Sequence, residues 1–321
     1  MKDIITLGEL LIDLTQTYID AGQIRHFAAN PGGAPANVAV ASARLGASAG
    51  FIGKVGADVY GRDLRAALER DGVDTAGLYE TASALTTQAL VSVSETGERD
   101  FSFYRNPGAD SLLTEEEVLA ALKLPPKVLH FGSVSLTAEP ARSATLAAAE
   151  HARERGALVS YDPNYRAALW PDERTAVEWM KKPLPLADIL KISNEELPLL
   201  TGTDDLEAGS RALAEQGIFL VFVTLGGEGT FYRLHGAGTG TISSFSVPVA
   251  DTNGAGDTFL GALLSRLTAR RGAPLEALTQ SETEEIIRFA NCAAALTCSR
   301  PGAISAMPTL AEVEAKLREE T

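Results

Sequence analysis

The sequence predicts an α/β fold with a mostly parallel sheet flanked by helices. Short, continuous apolar runs alternate along the chain with longer segments of helical periodicity. Continuous apolar runs are typical of parallel strands that are covered on both faces. Several helical segments end in glycine, which readily adopts the left-handed conformation that closes a helix. Together these observations favour strands joined by crossover helices.

The elements follow one another in a regular order. We expect strands at residues 4–8, 128–131, 158–161, 189–192 and 219–224. We expect helices at residues 36–45, 63–70, 139–155 and 206–216, followed by Gly46, Gly72, Gly156 and Gly217. A further strand-like run over residues 243–249 precedes a helical pattern over residues 259–267.

Residues 87–105 depart from this pattern, because two runs of alternating polarity surround a turn at Thr96-Gly97. Alternation indicates half-buried strands. A three- or five-residue turn would put the apolar positions of both runs on one side, and a two- or four-residue turn on opposite sides. The positions concerned are Ala89, Val91 and Val93 in the first run and Phe101, Phe103 and Arg105 in the second. An isolated hairpin is marginally stable, so we infer a flap over a ligand pocket; an edge hairpin of the main sheet is the alternative.

Composition excludes several classes of function. The formal net charge of -14 argues against a nucleic acid or an anionic membrane as the main partner. The sequence contains no run of about 20 uncharged apolar residues, so we expect no transmembrane helix. The first apolar run is interrupted by Glu9 and Asp13, whereas the apolar region of a secretory signal peptide is not interrupted by charges. The only cysteines are Cys292 and Cys298, so we expect a reducing, cytoplasmic setting.

The strongest chemical signal is the segment DTNGAGDTF, which begins at Asp251. Gly254 and Gly256 let the backbone turn and expose N–H groups at a helix N-terminus, where the helix dipole favours an anion. Asp257 then places a carboxylate beside that anion site, which suits a general base next to a transferring phosphoryl group. A simple helix cap is the alternative that the residues leave open.

Two more glycine-rich turns follow predicted strands or precede helices. Gly32-Gly33 precedes a helix that carries Asn37, whose amide suits a sugar hydroxyl. The segment TLGGEG directly follows the strand expected at residues 219–224, and ligands of open parallel sheets bind at the carboxyl ends of strands. Neither segment has the sequence of a phosphate loop or of a dinucleotide fingerprint.

These motifs resemble those of the ribokinase/PfkB-type carbohydrate kinases over essentially the whole chain. The order GGAPANVA, DPNYR, TLGGEG, DTNGAGDTF and AN-CAAALT is that family's order. Within the family, GELLID, FSFYRNPGAD, DPNYR and LKISNEELPLLTG look most like bacterial fructokinases. The resemblance implies one α/β domain over residues 1–321, with a small β lid from elements at about residues 14–30 and 87–107.

The resemblance also implies roles for individual residues. Asp257 is similar to the family's catalytic base, and the backbone of Gly254, Ala255 and Gly256 resembles its anion hole. The acceptor sugar would contact Asp13, Gly32, Gly33, Asn37, Phe101, Phe103, Arg105, Asn164 and Arg166. The nucleotide would contact Lys191, Thr224, Gly226, Gly227, Gly229 and Asn291. For Lys191, a side chain exposed to solvent is the alternative.

Metal positions are also implied. Glu196 matches the carboxylate of an Asn-x-x-Glu motif that organises Mg²⁺ through water, but Ser193 stands at the Asn position. Asp251 and Asn253, with Gly302 and Ser305 later in the chain, lie where many members bind a monovalent cation such as K⁺.

The resemblance therefore implies an ATP-dependent kinase that converts D-fructose to fructose 6-phosphate. Within the same class, 2-keto-3-deoxygluconate is the main alternative acceptor, because Arg105 and Arg166 offer cations to an acid sugar; ribose and ribosides are others. A binding protein without catalysis is the alternative from another class, against which the intact GAGD segment and Glu196 argue. Partners are the sugar and ATP, and a homodimer formed through the lid is a further hypothesis.

Overall fold

The computed structural model describes residues 1–93, 99–270 and 273–320, and for residues 91–93 and 99–101 it describes the backbone alone. Its strands are β1 (Ile4–Leu7), β2 (Leu11–Ile19), β3 (Arg25–Gly32), β4 (Ala49–Gly56), β5 (Asp74–Thr81), β6 (Gln88–Val93), β7 (Arg99–Tyr104), β8 (Val128–Gly132), β9 (Leu158–Asp162), β10 (Ile189–Ser193), β11 (Leu220–Thr224), β12 (Thr230–Leu234) and β13 (Gly238–Ile242). Its helices are α1 (Ala34–Arg44), α2 (Val59–Arg70), α3 (Glu115–Ala121), α4 (Ala141–Glu154), α5 (Glu173–Lys181), α6 (Leu197–Thr201), α7 (Leu206–Ala214), α8 (Ala255–Thr268), α9 (Gln280–Cys298) and α10 (Leu310–Glu319).

Nine of the described strands form one sheet in the order β13-β12-β11-β10-β9-β8-β1-β4-β5. The seven strands from β11 to β5 are parallel, and β12 and β13 extend the sheet as antiparallel strands. Leu220 and Phe222 of β11 pack in the apolar core with α8 and α9, whereas Val221 and Val223 pack on the opposite face with α4. Helices on both faces explain why the strands read as continuous apolar runs. The predicted α/β class is confirmed.

Apart from the run over residues 243–249, each predicted strand and helix is present, with boundaries that shift by a few residues. The helix expected at residues 63–70 begins earlier, at Val59, because the Asp58 carboxylate caps it by accepting a hydrogen bond from Gly61 N at 2.8 Å. Such a cap lies outside the apolar periodicity that predicted the helix. Among the described residues, no helix combines the length and apolar character needed to cross a membrane.

The strand expected over residues 243–249 is wrong. β13 ends at Ile242, and the segment after it is irregular. The Asn291 side chain donates hydrogen bonds to Ile242 O at 3.0 Å and Ser243 O at 3.2 Å, so α9 holds the chain where β13 ends. Phe245 is buried in the apolar core that contains α8 and α9, and Val247 packs against that core, which accounts for the alternating polarity without a sheet partner.

The remaining four strands form a second, small sheet in the order β3-β2-β6-β7. β6 and β7 are antiparallel, and their register pairs Ala89 with Phe103, so these two positions share one face. The inferred hairpin is therefore present as two strands of a four-stranded sheet, with Ala89 and Phe103 on one side as a three- or five-residue turn predicts, and an edge hairpin of the main sheet is excluded. The turn at Thr96-Gly97 lies outside the described residues.

Candidate active site

Two cavities meet at the first turn of α8. A cavity of about 250 Å³, here called the acceptor cavity, lies between the small sheet and the main sheet and is lined by Asp257. A cavity of about 570 Å³, here called the nucleotide cavity, is lined by Ala255 and Gly256 of the same turn. One helical turn thus lines both cavities.

Asp257 is a buried carboxylate held by two amides. Asn37 Nδ2 donates to Asp257 Oδ2 at 2.8 Å, and Asn164 Nδ2 lies 3.4 Å from Oδ1. Burial raises the pKa of Asp257, while the Asn37 hydrogen bond opposes this rise. A raised pKa makes the ionised carboxylate a stronger proton acceptor. The cap of α8 is Gly254, at φ 75°, so Asp257 lies within the helix and is not its cap.

Tight backbone contacts shape the wall that carries Asp13. Gly33 has φ 111°, and a Cβ there would lie 2.4 Å from Glu9 O, so only glycine fits. A Cβ on Gly32 would lie 2.3 Å from Asp13 Oδ2, which shows how closely this carboxylate approaches the backbone. Burial raises the pKa of Asp13 to about 6; Arg166 opposes the rise and Asp257 adds to it.

The small sheet contributes Ala89 and Phe103 to the acceptor cavity, and Arg105, which directly follows β7, also lines it. Phe101 lies on β7 at a position where the structure describes the backbone alone. The Arg105 guanidinium forms an ion pair with Asp110, with Nη2 and Oδ2 2.7 Å apart. Both side chains are almost fully buried, with 6% and 2% of their surfaces exposed. Arg105 is therefore a neutralised cation in this cavity.

Lys191 is buried at the same end of the sheet, so the interpretation as a solvent-exposed side chain is wrong. Its ammonium group lies 2.9 Å from Asp162 Oδ2. Burial would lower the pKa of Lys191, but Asp162 and Glu196 raise it above its ordinary value. A Cβ on Gly256 would lie 3.0 Å from Lys191 Nζ, so this positive charge adjoins the first turn of α8.

Arg166 and Asn164 follow β9 in the DPNYR segment. Arg166 is exposed, lines the acceptor cavity and donates to Tyr165 O at 3.0 Å. Asn164 has φ 48°, a left-handed conformation that asparagine tolerates better than most residues. This turn brings the Asn164 amide toward Asp257.

Glu196 joins the ends of two strands. Its Oε1 accepts a hydrogen bond from Tyr165 N at 2.7 Å, and its Oε2 accepts one from Ser193 N at 2.8 Å. Ser193 Oγ in turn lies 3.2 Å from Glu196 N. Each carboxylate oxygen retains a second lone pair, so Glu196 can still hold a water molecule.

The nucleotide cavity contains the remaining predicted nucleotide contacts. It is lined by Thr224, Gly226, Gly227, Gly229 and Asn291, among others. The Asn291 amide is engaged with the protein, because its Oδ1 accepts from Thr230 Oγ1 at 2.8 Å and its Nδ2 donates to β13 and the residue after it. Asn291 thus fixes the cavity wall.

A third cavity of about 320 Å³ adjoins Asp251, Asn253, Gly302 and Ser305. Asp251 Oδ1 accepts from Asn253 N at 3.0 Å, and Oδ2 accepts from Gly302 N at 3.1 Å. The structure therefore brings together two segments that lie about fifty residues apart in sequence. Among the described residues, no three His, Cys, Asp or Glu side chains form a metal-binding group.

Two buried acidic residues were not predicted for the site: Glu9 lines the acceptor cavity, and Asp110 pairs with Arg105, which lines it. Glu9 lines the cavity; its Oε1 accepts from Ala34 N at 3.0 Å, while its buried Oε2 has no hydrogen-bond partner among the described residues. One signal was present, because Glu9 interrupts an apolar run directly after β1. Asp110 is part of the FSFYRNPGAD segment, but nothing in the local sequence indicates that its side chain pairs with Arg105.

A buried carboxylate between a small cavity and a larger cavity with a glycine-rich wall is the arrangement that phosphoryl transfer to a small molecule requires. The chain belongs to the pfkB family of carbohydrate kinases, whose sequence model matches residues 1–310. The family resemblance predicted from the motifs is confirmed.

Individual relatives agree with this family. The chain is 45% identical over 313 residues to fructokinase-1 of Oryza sativa subsp. japonica, covering 97% of this chain and 96% of the relative. It is similar to the crystal structure of a Xylella fastidiosa fructokinase with bound ATP, with 35% identity, a TM-score of 0.91 and coverage of 100% and 99%. It is also similar to a Vibrio cholerae O395 fructokinase double mutant bound to fructose, ADP and potassium ion, with 35% identity, a TM-score of 0.87 and 98% coverage of both chains.

Proposed function

We propose that this carbohydrate kinase transfers the γ-phosphoryl group of ATP to D-fructose and forms fructose 6-phosphate. The observation that carries the proposal is the position of Asp257, whose helical turn faces both the acceptor cavity and the nucleotide cavity. The fructokinase relatives, with ATP or fructose and ADP in their structures, support this donor and acceptor.

Asp257 acts as the general base in this proposal. Its carboxylate takes the proton of the fructose 6-hydroxyl, the oxygen forms a bond to the γ-phosphorus, and the bond from that phosphorus to the bridging oxygen of ADP breaks. Negative charge on the phosphoryl group is stabilised by the backbone of Gly254, Ala255, Gly256 and Asp257 at the positive end of α8. Lys191, beside Gly256, adds a fixed positive charge.

Sugar hydroxyls are held by the polar groups of the acceptor cavity. We assign this role to Asp13, the Gly32-Gly33 backbone, Asn37 and Asn164. The small sheet serves as a lid, in which Phe103 and the neutralised Arg105 form the cavity wall. Closure of this lid excludes water, which would otherwise compete with the sugar as phosphoryl acceptor. Phe101 remains a proposed lid contact.

ATP occupies the nucleotide cavity in this proposal, against Thr224, Gly226, Gly227 and Gly229. Mg²⁺ prefers oxygen ligands and keeps several waters. The lone pairs left on Glu196 fit a water of that shell. When bound, Mg²⁺ would neutralise phosphate charge.

Three finer assignments complete the proposal. K⁺ binds at Asp251, Asn253, Gly302 and Ser305, which is supported by the potassium ion in the Vibrio cholerae structure. The small sheet and the turn between β2 and β3 expose apolar side chains, which support a homodimer formed through the lid; they are Tyr18, Ile19, Ile24, Phe27 and Tyr104. Two free cysteines support a reducing, cytoplasmic location.

The test is a coupled assay of ADP formation with D-fructose, D-ribose, a riboside and 2-keto-3-deoxygluconate as acceptors. We expect D-fructose to give the highest kcat/KM. Asp257→Asn should lower kcat by about 10²- to 10⁴-fold, the usual contribution of a general base, with fructose binding retained by calorimetry. Asp205→Asn, which keeps a helix cap on the exposed side of the protein, is the matched control.

Two outcomes would contradict the proposal. Near-normal turnover of Asp257→Asn would exclude the assignment of the base. A tenfold or greater preference of the wild type for the acid sugar would exclude fructose as the acceptor. Binding of ATP and fructose without any turnover by the wild type would instead indicate a non-catalytic binding protein.

A further inference from the structure

We infer that Asp110 selects against acidic acceptor sugars, because its carboxylate forms an ion pair with the guanidinium of Arg105, which lines the acceptor cavity. The inference rests on the proposed function, since it concerns which sugars that cavity accepts. It assigns Asp110 as a residue that determines specificity by acting through Arg105.

The contacts of Arg105 show that its guanidinium is already used. Nε donates to Asp110 Oδ2 at 2.8 Å, and Nη2 lies 2.7 Å from the same oxygen. Nη1 donates to Thr137 Oγ1 at 2.6 Å, and Nη2 to Val134 O at 3.3 Å. Thr87 Oγ1 donates to the other oxygen of Asp110 and fixes that carboxylate. The guanidinium N–H groups of Arg105 that would recognise a carboxylate on a substrate therefore already bind the carboxylate of Asp110.

The surrounding charges act in the same direction. Asp13, Asp257 and Glu9 line the acceptor cavity, and apart from Arg105 its lining includes one other arginine, the exposed Arg166. Burial raises the pKa of Glu9 to about 7, so Glu9 carries only part of a negative charge at neutral pH. With Arg105 neutralised, a carboxylate on the sugar would meet more negative than positive charge at low dielectric, where such repulsion is large. Neutral hydroxyls meet no such penalty and can donate to these carboxylates.

The alternative acceptor 2-keto-3-deoxygluconate provides the test. Asp110→Asn keeps the shape of the side chain and an acceptor oxygen, but it restores the net positive charge of Arg105. We expect kcat/KM for 2-keto-3-deoxygluconate, relative to that for D-fructose, to rise at least about tenfold, as one charge-assisted hydrogen bond would provide. The change should appear mainly in the KM of the acid sugar.

A matched control separates this effect from the general loss of an ion pair. Asp71→Asn removes the carboxylate from another partly buried pair, Arg44–Asp71, whose residues do not line the acceptor cavity. This variant should keep the wild-type ratio of the two sugars. An equal shift in Asp71→Asn would overturn the inference.

A second variant guards against poor folding of the first. Asp110→Ser removes the carboxylate and leaves space, and formate in the purification buffer can take its place beside Arg105. Removal of formate should raise the relative activity on the acid sugar, and its return should reverse the gain. An unchanged sugar ratio in Asp110→Asn, or in Asp110→Ser with and without formate, would refute the role of Asp110. A wild type that does not phosphorylate D-fructose would instead refute the proposed function.

Discussion

Glu9 makes the stability of this protein depend on pH in a defined way. Burial raises the pKa of Glu9 from 4.5 to about 7, and the nearby Asp110 charge adds to the rise. The folded protein therefore binds this proton more tightly than the unfolded chain does. At about 1.4 kcal/mol per pH unit, this group contributes about 3 kcal/mol that is present below pH 4.5 and is lost as pH rises through 7.

Glu9→Gln tests this reasoning, because glutamine resembles the protonated acid at every pH. Unfolding by urea, measured at pH 5 and pH 8, should show the variant gaining about 2–3 kcal/mol on the wild type between these two values. Glu178→Gln, at an exposed position on α5, controls for the loss of one carboxylate. A free-energy difference between wild type and Glu9→Gln that stays constant from pH 5 to pH 8 would refute the reasoning.

Two further predictions address Asp257 and the nucleotide cavity. Asn37→Leu removes the hydrogen bond that opposes the raised pKa of Asp257, so the acidic limb of the kcat–pH profile should move to higher pH; an unmoved limb would contradict the assignment. Gly229→Ala should lower the free energy of unfolding by more than about 1 kcal/mol, because φ is 114° and the added Cβ would lie 2.1 Å from Ile242 O. Its control is Gly227→Ala, where a Cβ has no neighbour within 4 Å; similar melting temperatures for the two variants would contradict this.

The sequence predicted those parts of the site that local chemistry encodes. A glycine-rich turn before a helix and an aspartate in the first turn of that helix lie within nine consecutive residues, so the sequence alone predicts Asp257 as a site residue. The burial of Lys191 could not be predicted locally, because it depends on Asp162, which lies 29 residues away on another strand. The strand expected over residues 243–249 failed for a related reason, since alternating polarity does not distinguish a sheet partner from a cavity wall.

The charges in the acceptor cavity were also beyond what the local sequence can predict. Arg105 and Asp110 are five residues apart, yet the sequence indicated a cation available to an acid sugar. Only the fold shows that both side chains turn inward and neutralise each other. Glu9 likewise became part of the site only when Gly33 and Ala34 packed against it.

The sequence by itself determined the α/β class and the family, because periodicity and glycine-rich turns are local properties of the chain. The tertiary structure decided which charges are paired and which groups share a cavity. Asn37 and Asp257 are 220 residues apart, and only the parallel order of the strands brings their side chains to 2.8 Å. Burial and pairing depend on such distant neighbours, and they set the pKa and charge that decide the chemistry.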